Sequence, residues 1–316
     1  MTAPTTSSGQ AIPASFDRRR AEGRGAADTT RAFRTAALLG WRMEANWTDP
    51  LLFFIYSVAK PVASALMLVF MLEIVAGPGA RGLRGFVIVG SALWSFVISG
   101  MAGLAWSVLD DRERYRMLKY IYVSPSDFLV MLMGRGLARL AIGAMGALIV
   151  LVVGVVFLGL GFDFGRVDWS LLAVVVLLGL TAIVALGVIL AAVCLQTRQE
   201  SWSYPEAVAG ALFLVVGAVF PLAVLPQPVQ AVGLAMPLTW WLEGVRRSLF
   251  PDGRSAIGGD GSLWAAAGGG ASPGSGTIVV ALLVTTLVAT LAATAIFRAS
   301  ERRAKDRGLI DRTTGS

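Results

Sequence analysis

Histidine is absent from the 316 residues, cysteine occurs once and lysine three times. Without imidazole there is no His-based acid–base catalyst, no His-containing metal site and no ordinary Ser-His-Asp triad. Cys194 has no second cysteine to pair with, and within an apolar run it reads as a small core residue. Lys60, Lys119 and Lys305 follow Ala, Leu and Ala, so the Gly-Lys-Ser/Thr cradle of a phosphate-binding P-loop is missing. Charge is scarce too. Asp, Glu, Lys and Arg make up 15% of the chain, where a soluble domain carries about 25%.

What is abundant is apolar surface, at 56% of residues. Runs of about 20 nearly uncharged residues are long enough to cross a bilayer core of about 30 Å. Six spans are expected, near 51–75, 86–108, 137–160, 169–195, 207–226 and 277–297, within a transmembrane domain over 50–298. With both termini inside, the cytoplasmic segments hold 20 Lys and Arg and the outer loops six, which favours an N-in, C-in arrangement. The expected fold is therefore an all-α integral membrane protein with six transmembrane helices. Residues 1–30 read as a disordered cytoplasmic tail rather than a secretory signal, because they lack an apolar stretch. The basic tail over 299–316 reads as a topology anchor at an anionic leaflet, so the net charge of +7 does not call for nucleic acid. No inverted repeat is visible.

Three segments do not look like spans. Over 31–49 the residues Ala32, Phe33, Ala36, Leu39, Met43 and Trp47 recur at helical spacing opposite Arg31, Arg34 and Arg42. This suits an amphipathic helix in the inner interface, with Trp41 and Trp47 at headgroup depth. The stretch DDRERYRMLKYIYVSP, Asp110 to Pro125, carries seven charges in its first ten residues yet lies between two apolar runs. Asp110 with Glu113 resembles a capping box, which predicts a helix over 110–124 starting there. Tyr115, Leu118 and Tyr122 form a small apolar stripe suited to a partner's groove, with charges such as Arg112 at the rim. A plain solvated loop is the competing reading. Over 220–250, prolines 221, 226, 228 and 237 break an apolar run into expected re-entrant half-helices on the outer side, with Trp240 and Trp241 near the interface. Residues 253–276 read as a flexible, Gly-rich outer loop.

These elements together resemble the permease subunits of type-2 ATP-binding-cassette (ABC) exporters. The resemblance rests on the N-terminal helix ending in TDP, and on DDRERYRMLKYIYVSP, which is similar to the family's E-R-E-x-x-x-L-K-x-x-x-x-x-P element. It rests also on FPLAVLPQPVQAVGLAMPLTWWLEGVRRSLF, similar to its F-P-x-x-x-L-P…P-L-T-x-x-x-E-x-x-R signature. It implies a homodimer or heterodimer of permeases in a bacterial or archaeal plasma (inner) membrane, carrying separate ABC ATPase subunits. No cofactor is expected on this chain; ATP and Mg would belong to the ATPase. Asp110, Arg112, Glu113, Arg114, Tyr115, Leu118, Lys119 and Tyr122 would then form a coupling helix seated on the ATPase.

Other residues are candidates on physical grounds. Lys60 lies inside the first expected span, where a charge is costly unless it faces protein or water, so it is a candidate for the translocation route; snorkelling is its alternative. Trp94 and Glu243 are further route candidates. Glu73 and Glu243 are expected to pair with Arg81, Arg246 or Arg247, or to be solvated rim charges. The expected function is export of an amphipathic substrate, whether drug, lipid or lipid-linked glycan. A stand-alone ion-coupled transporter and a membrane-bound lipid-processing enzyme are the alternatives. The first would need acidic or His relays within spans, and the second a carboxylate cluster for a metal.

Overall fold

The computed structural model describes residues 26–45, 51, 55–77, 81–123, 127–197 and 203–306. The N-terminal tail, Trp47, Arg198 and the end of the basic tail lie outside these residues. Among the described residues all regular structure is helical.

The longest apolar runs form the longest helices, because backbone polar groups can be satisfied within a helix wherever water is absent. Among the described residues four helices are long and apolar enough to cross a membrane. They are α3 (Gly82–Arg114), α5 (Phe128–Phe157), α6 (Trp169–Gln196) and α10 (Ser275–Asp306). Ahead of them lie α1 (Ala26–Ala45) and α2 (Lys60–Ala76), the latter entered through a π-turn at Ile55–Ala59. Between them lie α4 (Leu118–Val123), α7 (Ser203–Val215), α8 (Gln227–Ala235) and α9 (Pro237–Leu249). Asp168 caps α6, accepting from the Leu171 N–H at 2.9 Å. That bond, with one from Ser170, holds its carboxyl below the usual carboxylate range.

α6 is the central element. It packs along α10, against the middle of α3 and against α9. Close approach is possible because Gly179 on α6 faces the Trp241 ring on α9; a Cβ there would overlap the indole. Trp241 in turn tilts against Phe96 on α3, with centroids 5.9 Å apart. A second cluster gathers at the C-terminal end of α3, where Leu104, Val108, Leu118, Ile121, Phe128, Leu132 and Phe297 are buried together.

Several expected boundaries move. Among the described residues the fifth apolar run is α-helical over Ser203–Val215, 13 residues, with a single 3-10 turn at Leu222–Val224, rather than over 207–226. Gly217 takes φ +73° and Pro221 lacks an N–H, so the helix cannot continue. The prolines of 220–250 do yield two short helices, α8 and α9, Pro237 standing in the first turn of α9 where its missing N–H costs nothing. Trp240 and Trp241 are both buried within the fold, and Trp240 Nε1 donates to the Leu234 carbonyl at 2.8 Å. The Gly-rich 253–276 segment is hydrogen-bonded to α8 and α9. Gln230 Nε2 donates to Leu225 O at 2.8 Å, while Gln230 Oε1 accepts from Leu263 N at 2.7 Å. Glu243 accepts from Ala256 N at 2.7 Å. Glu73 pairs with Arg84 at 2.9 Å rather than with Arg246 or Arg247, since Arg84 stands in the first turn of the neighbouring helix α3; the side chain of Arg81 lies outside the described residues.

Helix α1 covers Ala26–Ala45 among the described residues, beginning before the expected 31; of the expected stripe Ala32, Phe33, Ala36 and Met43 are buried or half-buried opposite exposed Arg31, Arg34 and Arg42, and Leu39 is exposed. Ala36 and Gly40 are buried against α5, whereas Leu38, Leu39 and Trp41 are exposed. Small residues decide this. A Cβ on Gly134 would lie 2.7 Å from Phe33 O, and one on Gly40 would lie 3.0 Å from the Arg135 Cα. The two backbones meet where neither helix has bulk.

Candidate functional site

The charged stretch after the second apolar run sits at the C-terminal end of α3. It does not start a new helix at Asp110. Leu109 and Asp110 are helical, no side chain caps that position, and Asp110–Arg114 forms a π-turn that prolongs α3. The expected capping box fails because distant arginines take the carboxylates first. Asp110 pairs with Arg139 on α5 at 3.0 Å, and Arg139 also reaches Glu44 on α1 at 2.7 Å. Asp111, 2% exposed, is hydrogen-bonded to Arg135, 6% exposed. Arg112 is not a rim charge. It is buried, donating to the carbonyls of Cys194 and Thr197 at 3.0 Å each, and to Glu113 at 2.7 Å.

Three consecutive charged residues, Asp110, Asp111 and Arg112, thus tie the end of α3 to α5 and α6, and through Arg139 to α1. The break follows at Tyr115–Met117. Tyr115 N–H bonds Asp110 O and Met117 N–H bonds Asp111 O, both at 2.8 Å, while Arg116 takes φ +49°. That left-handed turn swings α4 back beneath the bundle. Leu118 and Ile121 then face inward, beside Phe128 and Phe297, whose rings stack at 5.7 Å. Leu118, expected to anchor in a partner's groove, instead fixes α4 to its own chain.

The outward face of this end is made by other side chains. Arg114, Tyr115, Arg116 and Tyr120 are exposed, Tyr120 to 68%. The Arg114 guanidinium lies 5.6 Å from the Tyr115 ring centroid. The side chains of Lys119 and Tyr122 lie outside the described residues. Arg135, Arg139 and Glu44 were not read as part of this site. Their signal was present: two arginines four apart share one face of an otherwise apolar helix, opposite a pair of aspartates.

The route candidates are dispersed. Lys60 begins α2 and is exposed, with Met67, Met71 and Ile74 further along the same exposed helix. Trp94 is buried, its ring 5.1 Å from Phe213. Glu243 is buried at the far end of α3 from the charged stretch, beside Arg246. Arg246 donates to the carbonyls of Gly217 at 2.9 Å, Ala218 and Phe86 at 3.3 Å, with its guanidinium 3.7 Å from the Phe86 centroid.

Comparison with known families is direct. The family model described as "ABC-2 type transporter" matches residues 34–250, which takes in the second half of α1, the charged end of α3 and the α8–α9 pair. No curated protein matches the chain.

Proposed function

The chain belongs to the ABC-2 type transporter family, a multi-pass membrane permease whose partner is an ABC ATPase subunit, and from that premise we propose an exporter subunit driven through the end of α3. In this reading the six apolar segments all span, with both termini inside, two permeases associate, and the plasma membrane of a bacterium or archaeon is the site of action. ATP and Mg bind the partner, because this sequence has no P-loop. The cargo is amphipathic, a drug, a lipid or a lipid-linked glycan, and Lys60 is a candidate to face its route.

The observation that carries this reading is the bracing of the charged stretch. A lever transmits motion only if it is stiff where it joins the moving parts. Buried ion pairs and the Arg112 bonds fasten the turn to three other helices, while Tyr115 and Tyr120 remain exposed. Motion imposed on that outward face would move α1, α3, α5 and α6 together.

The test is co-purification of the ATPase with substrate-stimulated hydrolysis. Aromatic anchors at the centre of an interface contribute about 2 kcal/mol or more. Tyr115→Ala with Tyr120→Ala is expected to release or uncouple the ATPase by an order of magnitude while the permease stays folded in the membrane. Unchanged co-purification and unchanged stimulation would remove these side chains from the contact.

A further inference from the structure

At the opposite end of α3 from the charged stretch, a cavity of about 320 Å³ opens between the start of α3, the loop after α5 and the end of α9. Four arginines line it: Arg166, Arg246, Arg247 and Arg254. The carboxylates present are largely committed. Asp252 pairs with Arg166, Glu243 holds the Ala256 N–H at 2.7 Å, and Asp163 holds the Gly165 N–H at 2.9 Å. Three guanidiniums are then left without a carboxylate hydrogen bond among the described residues. Arg246 is 5% exposed, donates only to backbone carbonyls, and its Nε has no hydrogen-bond partner. Arg247 donates to the neutral Ser272 hydroxyl at 3.3 Å. Arg254 is exposed, with no hydrogen-bond or ion-pair partner among the described residues.

Glu243 lies beside Arg246, yet the lining carries four arginines against three carboxylates, and a guanidinium presents donors that match an oxyanion able to offset that excess. We propose that this cavity binds a phosphate-type oxyanion, held by Arg246 at its floor and by Arg247 and Arg254 at its mouth. The volume suits a headgroup or a small anion rather than a whole lipid. Phe86 and Phe250, also on the wall, offer apolar surface for the carbon beside the phosphate. The inference rests on the transporter reading only in placing this cavity on the outer face. There it would receive either a lipid headgroup or a free phosphate group.

Purified chain in detergent, titrated with inorganic phosphate by calorimetry, tests the free anion. Chain in nanodiscs of phosphatidylcholine with or without phosphatidylglycerol, with retained lipid counted by native mass spectrometry, tests the headgroup. Saturable phosphate binding assigns a soluble source, and selective retention of phosphatidylglycerol assigns a lipid one. Arg247→Gln with Arg254→Gln should weaken whichever is seen by about tenfold or more, since each charge-assisted bond is strong. Asp252→Asn should tighten it by freeing Arg166, a gain that a misfolded protein does not give. Absence of both kinds of binding, or binding indifferent to these substitutions, overturns the proposal. No ATPase enters the assay, so its failure leaves the coupling reading standing, and a failure of ATPase co-purification leaves this site untouched.

Discussion

Asp111 and Arg135 face each other with 2% and 6% of their surfaces exposed, so each charge is offset by its partner rather than by water. Breaking such a pair strands a buried charge, at a cost of about 3–5 kcal/mol, whereas replacing both partners with apolar groups of similar size is often near neutral. Arg135→Ala should therefore lower thermal stability in detergent sharply, and Asp111→Leu with Arg135→Met should recover most of the loss. A double variant as unstable as the single one would mean that the pair supplies more than mutual neutralisation. Arg112 makes the same point in another way. By composition it belongs to a charged surface helix, yet its donors satisfy two carbonyls near the C-terminal end of α6, so its role is to join helices.

Helix α1 depends on contact between small residues. Gly134 leaves room for the α1 backbone at Phe33 and Ala37 and for the Ala36 Cβ, and a larger side chain would push the helices apart at a cost of about 1–3 kcal/mol. Gly134→Leu is expected to broaden the distance distribution between spin labels at Leu38 and Leu137, both exposed; an unchanged, narrow distribution would contradict the packing. The long helices were legible in sequence because length and hydropathy suffice to specify them. The early end of α7 was less so, because Gly217 and Pro221 act within a run that stays apolar. The break at Tyr115–Met117 had no local signal at all, since neither Gly nor Pro occurs there. It arises because Leu118 and Ile121 gain burial by turning inward, a tertiary preference that overrides continuation of α3. Asp110 and Glu113 matched a capping pattern for the same reason that it misled: the partners that claim Asp110 lie on α5, 29 residues away.

At the scale of the whole molecule, one end of α3 carries the braced charged turn and the other an arginine-lined cavity, about 50 Å away at 1.5 Å per residue over 33 residues. The proposed topology places these ends on opposite faces of the membrane. Cysteine introduced at Asp260 should react with an impermeant maleimide from outside intact cells, and cysteine at Arg302 should not; the reverse pattern would invert the orientation. The central claim is that the turn after α3 is where the ATPase sits. Photo-cross-linking asks this directly, with a photoreactive residue at Tyr120 and, as a control, at Val224, 72% exposed near the far end of the bundle. The expected result is an adduct with the ATPase from position 120 and none from position 224. An adduct from 224, or none from 120 while the complex stays intact, would contradict the account.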